Sequence, residues 1–208
     1  ALAAVEAGTG CFLLFGATGS GKTEVYLQAV QRLFAADPQA QALVMVPEIN
    51  LTPQLEARFK TRFGSDAVVS LHSGMTNPQR LASWLAAHSG TARIVLGTRM
   101  AVFASMPGLK LIVVDEEHDP SYKQQEGARY SARDLAVWRG QREGAKVILG
   151  SATPSFESWH QSRPAQGDDA GGRYVRLAMP SRIGVGGGSE AGTAEGAGAL
   201  PTVRLVDM

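Results

Sequence analysis

The amino-acid sequence predicts an α/β fold in which a parallel β-sheet is sandwiched between helices. First, short apolar, β-branched segments alternate along the chain with segments of helical periodicity, which is typical of successive β-α-β units. Second, these apolar segments are continuous rather than alternating, as in strands that helices cover on both faces. Third, a glycine-rich segment, Gly16–Thr23, follows the first apolar segment and precedes the first long helical one.

Six strands are predicted from the apolar segments: Cys11–Phe15, Ala42–Val46, Ala67–Leu71, Arg93–Leu96, Leu109–Val114 and Lys146–Leu149. A short helix, Ala1–Glu6, precedes them, and four longer helices lie between or after them: Lys22–Ala35, Pro53–Arg62, Pro78–His88 and Ser131–Arg142. The pair Thr52-Pro53 is a favourable helix start. Each of the first three connections is long enough for a right-handed crossover helix, so the strands that they join should be parallel.

Beyond about His160 the periodic pattern fades. Gly184–Gly198 holds seven glycines in fifteen residues and is typical of a linker, while Leu200–Val206 regains a strand-like pattern. We therefore expect a domain over residues 1–160, and over residues 161–208 a glycine-rich linker with a segment that either adds to the sheet or leads into a next domain. Because the sequence starts at Ala1 without an initiator methionine, we interpret it as a piece of a longer protein.

The composition favours a globular protein, with 44% hydrophobic and 19% charged residues. Cys11 is the one cysteine, which excludes an internal disulfide framework and a cysteine-rich zinc site in this chain. We find neither a membrane-length apolar run nor a secretory signal pattern, so we expect no membrane contact and a cytoplasmic location. The formal net charge is +1, so any nucleic-acid-binding surface must be local.

The glycine-rich segment matches the phosphate-binding pattern G-x-x-x-x-G-K-[ST]. Its glycines let backbone N–H groups turn toward phosphate oxygens, and the following helix favours an anion at its start. Lys22 should reach the β- and γ-phosphates, and the Thr23 hydroxyl should bind Mg²⁺. The strand before and the helix after disfavour the alternative of a glycine-rich turn without function. The residues expected to bind ATP are Gly16, Ala17, Thr18, Gly19, Ser20, Gly21, Lys22 and Thr23.

Four consecutive polar residues, Asp115, Glu116, Glu117 and His118, follow the apolar strand Leu109–Val114. Asp115 can hold Mg²⁺ opposite Thr23, and Glu116 is placed to orient or deprotonate an attacking water, so the predicted catalytic residues are Lys22 and Glu116. A small-molecule kinase has no use for such a water-activating acid, so the pair favours hydrolysis. Neither Glu117 nor His118 is needed for the metal, and a structural role is the stronger alternative for both.

Three further segments follow predicted strands: Val46–Gln54 the second, Gly97–Arg99 the fourth and Gly150–Pro154 the sixth. With the glycine-rich segment and the four polar residues, they resemble motifs of superfamily 2 helicases in the right order. More narrowly, the chain resembles the PriA family of replication-restart helicases. The segments that carry this resemblance are Glu116–Gln124, Tyr130–Asp134 and Ser151–Ser158.

The resemblance implies the first RecA-like lobe of an ATP-dependent 3′-to-5′ DNA helicase that acts in replication restart and primosome assembly. Single-stranded and forked DNA, primosome proteins and single-stranded-DNA-binding protein are the partners it implies, with ATP and Mg²⁺ as cofactors. It places the second lobe, an arginine finger and a zinc-binding insertion in parts of the protein outside this chain. Ser131 departs from the pattern, because His or Asn is expected there.

The resemblance also assigns coupling and DNA-contact residues. Ser151, Ala152 and Thr153 resemble the motif that links the phosphate state to the grip on DNA; the alternative is a hydroxyl-rich turn. The predicted DNA contacts are Thr52, Gln54, Thr98, Arg99, Tyr122 and Lys123. Local capping or pairing is the alternative for the first four.

Basic and aromatic side chains alternate over Tyr122–Lys146, as in proteins whose aromatics stack on bases. We favour DNA binding for Tyr122–Tyr130 and an ordinary solvated helix face, with Trp138 in the core, for Arg139–Lys146. A structural role is expected for His72, His88, His160 and Cys11. Two other functions remain open, a P-loop kinase for a small metabolite and a DNA-binding module in which the nucleotide is only a switch.

Overall fold

The structure, a computed structural model, describes residues 1–166 and 169–179. Its main sheet has seven parallel strands: β1 (Cys11–Gly16), β2 (Gln41–Met45), β3 (Val68–Leu71), β4 (Ile94–Gly97), β5 (Leu109–Val114), β8 (Lys146–Ser151) and β9 (Tyr174–Met179). Their order across the sheet is β3-β4-β2-β5-β8-β1-β9. Two short strands, β6 (Lys123–Gln124) and β7 (Tyr130–Ser131), form a separate antiparallel pair.

Six helices connect or flank the strands: α1 (Leu2–Ala7), α2 (Lys22–Ala36), α3 (Pro53–Phe63), α4 (Asn77–Ser89), α5 (Ala132–Glu143) and α6 (Phe156–Gln161). Residues of α1, α2 and α3 pack on one face of the sheet, and residues of α4 and α5 pack on the other. Neighbours along a strand therefore enter different cores, as Leu13 and Leu14 do. Because both faces are covered, β2 is buried along its whole length, which accounts for its apolar run Ala42–Met45.

Side-chain caps define where four of the helices begin, among them α6, whose cap is Ser155. The hydroxyl of Thr52 accepts a hydrogen bond from the Leu55 N–H at the start of α3, and Thr76 forms a capping box with Gln79 at the start of α4. Ser131 caps α5 in the same way, since its hydroxyl accepts from the Asp134 N–H. Serine at position 131 is therefore explained by its role as a helix cap.

The predicted fold class is confirmed, and the six predicted strands and five predicted helices are present with boundaries within two residues of those expected. Helix α6, strand β9 and the β6–β7 pair were not predicted. Strand β9 lies at an edge, and Arg176 interrupts its apolar pattern, so its sequence lacks the signal of a buried strand. The division at residue 160 stays a prediction, although the sheet takes its seventh strand from beyond that position.

The predicted linker Gly184–Gly198 and the strand-like segment Leu200–Val206 lie outside the described residues. Within the described ranges, none of the helices has the length and apolar character needed to cross a membrane.

Candidate nucleotide-binding site

The predicted motifs come together at one edge of the sheet. Parallel strands all end at the same edge, and each predicted motif follows the carboxyl end of a strand: β1, β2, β4, β5 or β8. The motifs are far apart in sequence, so it is the parallel topology that makes them one site.

The loop between β1 and α2 has the shape of a phosphate cradle. Gly19 and Gly21 have φ angles of +81° and +89°, in the left-handed region that favours glycine. At Gly16 there is no room for a side chain, because a Cβ there would lie 2.8 Å from both Ser20 Oγ and Met179 Cβ. The Ser20 hydroxyl is buried and has no hydrogen-bond partner among the described residues. The loop therefore has the features of an anion-binding site: a tight turn, the buried hydroxyl of Ser20 and the start of the long helix α2.

Lys22 lies across this loop. Its side chain is 7% exposed, and its Nζ donates to the backbone oxygens of Gly16 at 2.9 Å and Ala17 at 3.4 Å. The same Nζ lies 4.0 Å from Glu116 Oε1. The lysine of the cradle is therefore next to the acid that was predicted to act on water.

A cleft of about 340 Å³ joins the cradle to the two acids. It is lined by Thr18, Gly19, Gly21, Lys22, Thr23, Glu24, Arg58, Asp115 and Glu116. Larger cavities lie elsewhere, among them a groove of about 700 Å³ beside α5, but this cleft is the one that unites the predicted phosphate and metal ligands. The contribution of Arg58 was not predicted, because no motif marks it; its guanidinium donates to Glu24 at 3.1 Å.

Two tyrosines hold Asp115 at the end of β5. The Tyr26 hydroxyl donates to Asp115 Oδ1 at 2.8 Å, and the Tyr122 hydroxyl donates to the Asp115 backbone oxygen at 2.7 Å. Burial raises the pKa of the Asp115 carboxyl above its usual value, while the hydrogen bond from Tyr26 and the charge of Lys22 act in the opposite direction. A carboxylate in such surroundings gains from a nearby cation.

Glu116 is the one residue other than glycine with a positive φ in the described part of the chain, at +45°. Such a conformation costs about 1–3 kcal/mol and is typical of functional sites. Its Oε1 faces Lys22, and its Oε2 lies 3.7 Å from His118 Nδ1. The carboxylates of the adjacent residues Asp115 and Glu116 therefore have different partners: Asp115 contacts Tyr26, and Glu116 faces Lys22 and His118.

Glu117 is buried, and both of its carboxylate oxygens have hydrogen-bond partners. Its carboxylate accepts hydrogen bonds from the Ser155 N–H at 2.7 Å, the Ser155 hydroxyl at 3.1 Å and the Ser158 hydroxyl at 2.8 Å. It also forms an ion pair with Arg133 at 3.1 Å. Glu117 therefore clamps the end of β5 to α5 and α6, and its geometry agrees with the structural alternative.

His118 contacts the predicted coupling residues. Its Nδ1 lies 2.8 Å from the Ser151 hydroxyl, and its Nε2 lies 3.3 Å from the Thr153 hydroxyl. The Thr153 N–H also donates to Ser151 Oγ at 3.0 Å. The segment Ser151–Thr153 is thus joined by hydrogen bonds to the same acidic turn that borders the cleft.

Two of the predicted DNA contacts are corrected by their burial. Thr98 is 2% exposed and Tyr122 is 1% exposed, so neither side chain can meet a DNA strand in this arrangement. Gln54 and Lys123 are exposed, while Thr52 is half-buried and caps α3. The surface that could contact DNA is therefore smaller than expected.

Arg99 binds the neighbouring loop instead of standing free. Its guanidinium donates to the backbone oxygens of Ser121 at 2.9 Å and Lys123 at 3.3 Å. It therefore ties the end of β4 to the loop that carries Tyr122.

The helical end of the basic and aromatic segment makes packing contacts. Arg139 donates to the Val102 backbone oxygen and pairs with Glu143, which supports the structural alternative for Arg139–Lys146. Trp138, expected in the core, is 58% exposed, because its position on α5 faces away from the sheet. Phe103, also exposed, makes an edge-to-face contact with Tyr130.

The residues set aside as structural lie apart from the cleft. Cys11 is buried in β1, and burial raises the pKa of its thiol far above the usual value. His88 stacks on Trp84, and His160 lies beside Arg163. Within the described ranges, no group of three or more His, Cys, Asp or Glu side chains is placed to hold a metal ion.

Comparison with known proteins identifies relatives. The DEAD/DEAH box helicase family matches residues 1–161. The chain is 41% identical over 197 residues to the replication restart protein PriA of Bacillus subtilis. The aligned segment covers 95% of this chain and 22% of that protein. It is 47% identical over 179 residues to PriA of Haemophilus influenzae, with 86% of this chain and 23% of that protein covered. The chain thus spans about a fifth of the length of these relatives.

Solved structures share the fold. The helicase MrfA bound to DNA superposes with a TM-score of 0.56 at 16% identity, covering 87% of this chain and 26% of that one. RecG bound to a three-way DNA junction gives a TM-score of 0.52 at 21% identity, covering 81% of this chain and 20% of that one. At such identities the likeness shows the common fold.

Proposed function

This chain belongs to the DEAD/DEAH box helicase family, and from that premise we propose that it is the ATP-binding lobe of an ATP-dependent DNA helicase. The single observation that carries the proposal is the cleft in which the phosphate cradle, Lys22, Asp115 and Glu116 meet. This combination of a cradle, a metal ligand and a second acid is what hydrolysis of a nucleoside triphosphate requires.

In this proposal the cradle binds the triphosphate of ATP. Backbone N–H groups of the loop and the start of α2 face the phosphate oxygens, and Lys22 moves from its backbone acceptors to the β- and γ-phosphates. Thr23 and Asp115, which both line the cleft, would hold Mg²⁺. When bound, Mg²⁺ neutralises part of the phosphate charge.

Glu116 is the catalytic acid–base residue of the proposal. Its carboxylate is at the cleft, within ion-pair distance of Lys22, so it is near the position of the γ-phosphate. There it accepts the proton of the attacking water as the water oxygen bonds to the γ-phosphorus and the bond from that phosphorus to the β–γ bridging oxygen breaks, which releases ADP and phosphate. Because His118 lies between Glu116 and the Ser151–Thr153 segment, we assign this segment to coupling between the phosphate state and DNA.

The wider activity rests on the relatives, whose names describe replication restart. We propose that the longer protein moves 3′-to-5′ on single-stranded and forked DNA, assembles with primosome proteins and single-stranded-DNA-binding protein, and is cytoplasmic. A second lobe would supply an arginine finger, and another part of the protein a zinc-binding insertion. On this lobe, Thr52, Gln54, Arg99 and Lys123 are the proposed DNA contacts.

Nucleotide binding by the 208-residue chain tests the proposal. A fluorescent ADP analogue is titrated with the wild type, Lys22→Ala and the control Lys110→Ala, which removes an exposed lysine from the other end of β5. We expect Mg²⁺-dependent binding by the wild type and the control, and at least about tenfold weaker binding by Lys22→Ala. Equal binding by all three proteins would contradict the assignment of the site.

Hydrolysis separates the helicase from the two alternatives. A kinase would transfer phosphate to an added metabolite, and a nucleotide switch would bind ATP without DNA-stimulated turnover in the complete protein. Phosphate release that rises on addition of single-stranded DNA is the result expected for a helicase.

A further inference from the structure

Tyr26 is a buried residue of α2 that no sequence motif marked. It is 2% exposed, and its hydroxyl lies 2.8 Å from Asp115 Oδ1. It follows Lys22 by four residues, so the two side chains lie on the same face of α2. Lys22 faces Glu116 and Tyr26 contacts Asp115, so one helix face meets both adjacent acids.

The position of the Tyr26 hydroxyl is closely defined by its neighbours. A Cβ at position 150 would overlap that hydroxyl, so only glycine lets the end of β8 pass this close to it. A tyrosine hydroxyl is protonated at neutral pH, and this one lies at hydrogen-bond distance, 2.8 Å, from the Asp115 carboxylate. It therefore donates to the carboxylate, and Gly150 leaves it little room to turn elsewhere.

We propose that Tyr26 is a positioning residue for the magnesium site: it occupies Oδ1 of Asp115 and so leaves Oδ2 as the oxygen that binds the hydrated cation. This inference rests on the proposed function and adds a residue to it. Tyr26 acts through Asp115 and touches neither the nucleotide nor the attacking water. Hydrogen bonds of this kind fix the rotation of a metal-binding carboxylate and strengthen metal binding.

Tyr122 supplies a natural comparison. Its hydroxyl also contacts Asp115, but at the backbone oxygen, so it cannot set the rotation of the carboxylate. Replacing either tyrosine by phenylalanine removes one oxygen atom and keeps the buried ring. The two variants therefore differ in which part of Asp115 loses a hydrogen bond.

The experiment measures how much Mg²⁺ is needed to bind nucleotide. A fluorescent ADP analogue is titrated against the 208-residue chain at increasing MgCl₂, and once more in excess chelator without Mg²⁺. For Tyr26→Phe we expect the half-saturating Mg²⁺ concentration to rise about tenfold, with nucleotide affinity in chelator within about twofold of wild type. For Tyr122→Phe we expect the Mg²⁺ requirement to stay within about twofold.

A double-variant cycle tests whether Tyr26 acts through Asp115. On a background that carries Asp115→Asn, adding Tyr26→Phe should leave the Mg²⁺ requirement unchanged, because the carboxylate that Tyr26 positions is gone. If Tyr26→Phe fails to fold by circular dichroism, Gly150→Ala takes its place, since its methyl group displaces the hydroxyl from Asp115. The same rise in the Mg²⁺ requirement is expected.

Two results would overturn the inference. One is an unchanged Mg²⁺ requirement in Tyr26→Phe; the other is an equal loss of affinity with and without Mg²⁺, which would make Tyr26 a packing residue. If the wild type itself bound nucleotide without dependence on Mg²⁺ or Lys22, the proposed function would fail instead. The wild-type titration therefore separates the two failures.

Discussion

Glu117→Ala removes the buried carboxylate that joins β5 to α5 and α6, and we expect it to lower the free energy of unfolding by about 3–5 kcal/mol. Three groups on α6 and its cap donate to this carboxylate, and Arg133 on α5 pairs with it. The replacement leaves those donors in place without their acceptor. The loss is therefore one of hydrogen bonds and charge pairing rather than of apolar packing.

The size of this loss in unfolding free energy depends on whether each donor finds another acceptor once the Glu117 carboxylate is removed. Arg133 keeps its second partner, Asp134, and the hydroxyl of the half-buried Ser155 can donate to water, while its oxygen still accepts from the Ser158 N–H. The Ser155 N–H and the Ser158 hydroxyl have no such substitute, and Ser158 is 2% exposed. A buried donor without a partner costs about 1–3 kcal/mol, so two of them give about 2–6 kcal/mol, in line with the value for breaking a buried pair.

Urea unfolding followed by circular dichroism measures this change, and the melting temperature should fall by about 6–20 °C. Glu157→Ala is the matched control, because Glu157 is an exposed acid on the same helix, α6. The control should stay within about 0.5 kcal/mol of wild type. A loss of less than about 1 kcal/mol for Glu117→Ala would refute the view that this carboxylate clamps the lobe.

Two further predictions concern turnover and DNA. The 208-residue chain alone should hydrolyse ATP at least ~10³-fold more slowly than a protein that includes a second lobe, because that lobe is proposed to supply an arginine to the transition state. A phosphate-release assay measures this, and rapid DNA-stimulated turnover by the chain alone would disprove the division of labour. In the two-lobe protein, Lys123→Ala should keep nucleotide affinity and lower the salt dependence of single-stranded DNA binding by about one phosphate contact, whereas the control Lys110→Ala should not. A salt dependence equal to that of wild type would exclude a phosphate contact at Lys123.

The strands and the phosphate cradle could be predicted, because each depends on residues that are close together in the sequence. The strands of the main sheet, other than β9, are largely buried and consist mostly of apolar residues, and the cradle depends on residues adjacent in sequence, so local patterns locate them. The acids follow a strand end, and the parallel topology then brings them to the cradle. Strand β9 was not predicted, because an edge strand has fewer buried positions and its Arg176 interrupts the apolar residues.

Features that depend on contacts between distant residues could not be predicted. Tyr26 and Asp115 are 89 residues apart, and nothing in the helical pattern of α2 distinguishes this tyrosine from any other core residue. Tyr122 was misjudged for a related reason: an aromatic residue between basic ones looks the same whether it faces a DNA strand or anchors its loop inward. Only its burial and its bond to the Asp115 backbone decide the question.

The central claim is that the two adjacent acids have separate roles, with Asp115 for the metal and Glu116 for the water. Mg–ATP affinity and single-turnover hydrolysis, measured for Asp115→Asn and Glu116→Gln in a protein that includes both lobes, test it most directly. Asp115→Asn should weaken Mg²⁺-dependent binding, whereas Glu116→Gln should bind within about threefold of wild type and hydrolyse at least ~100-fold more slowly. Wild-type turnover by Glu116→Gln, or unchanged Mg²⁺-dependent binding by Asp115→Asn, would contradict the account.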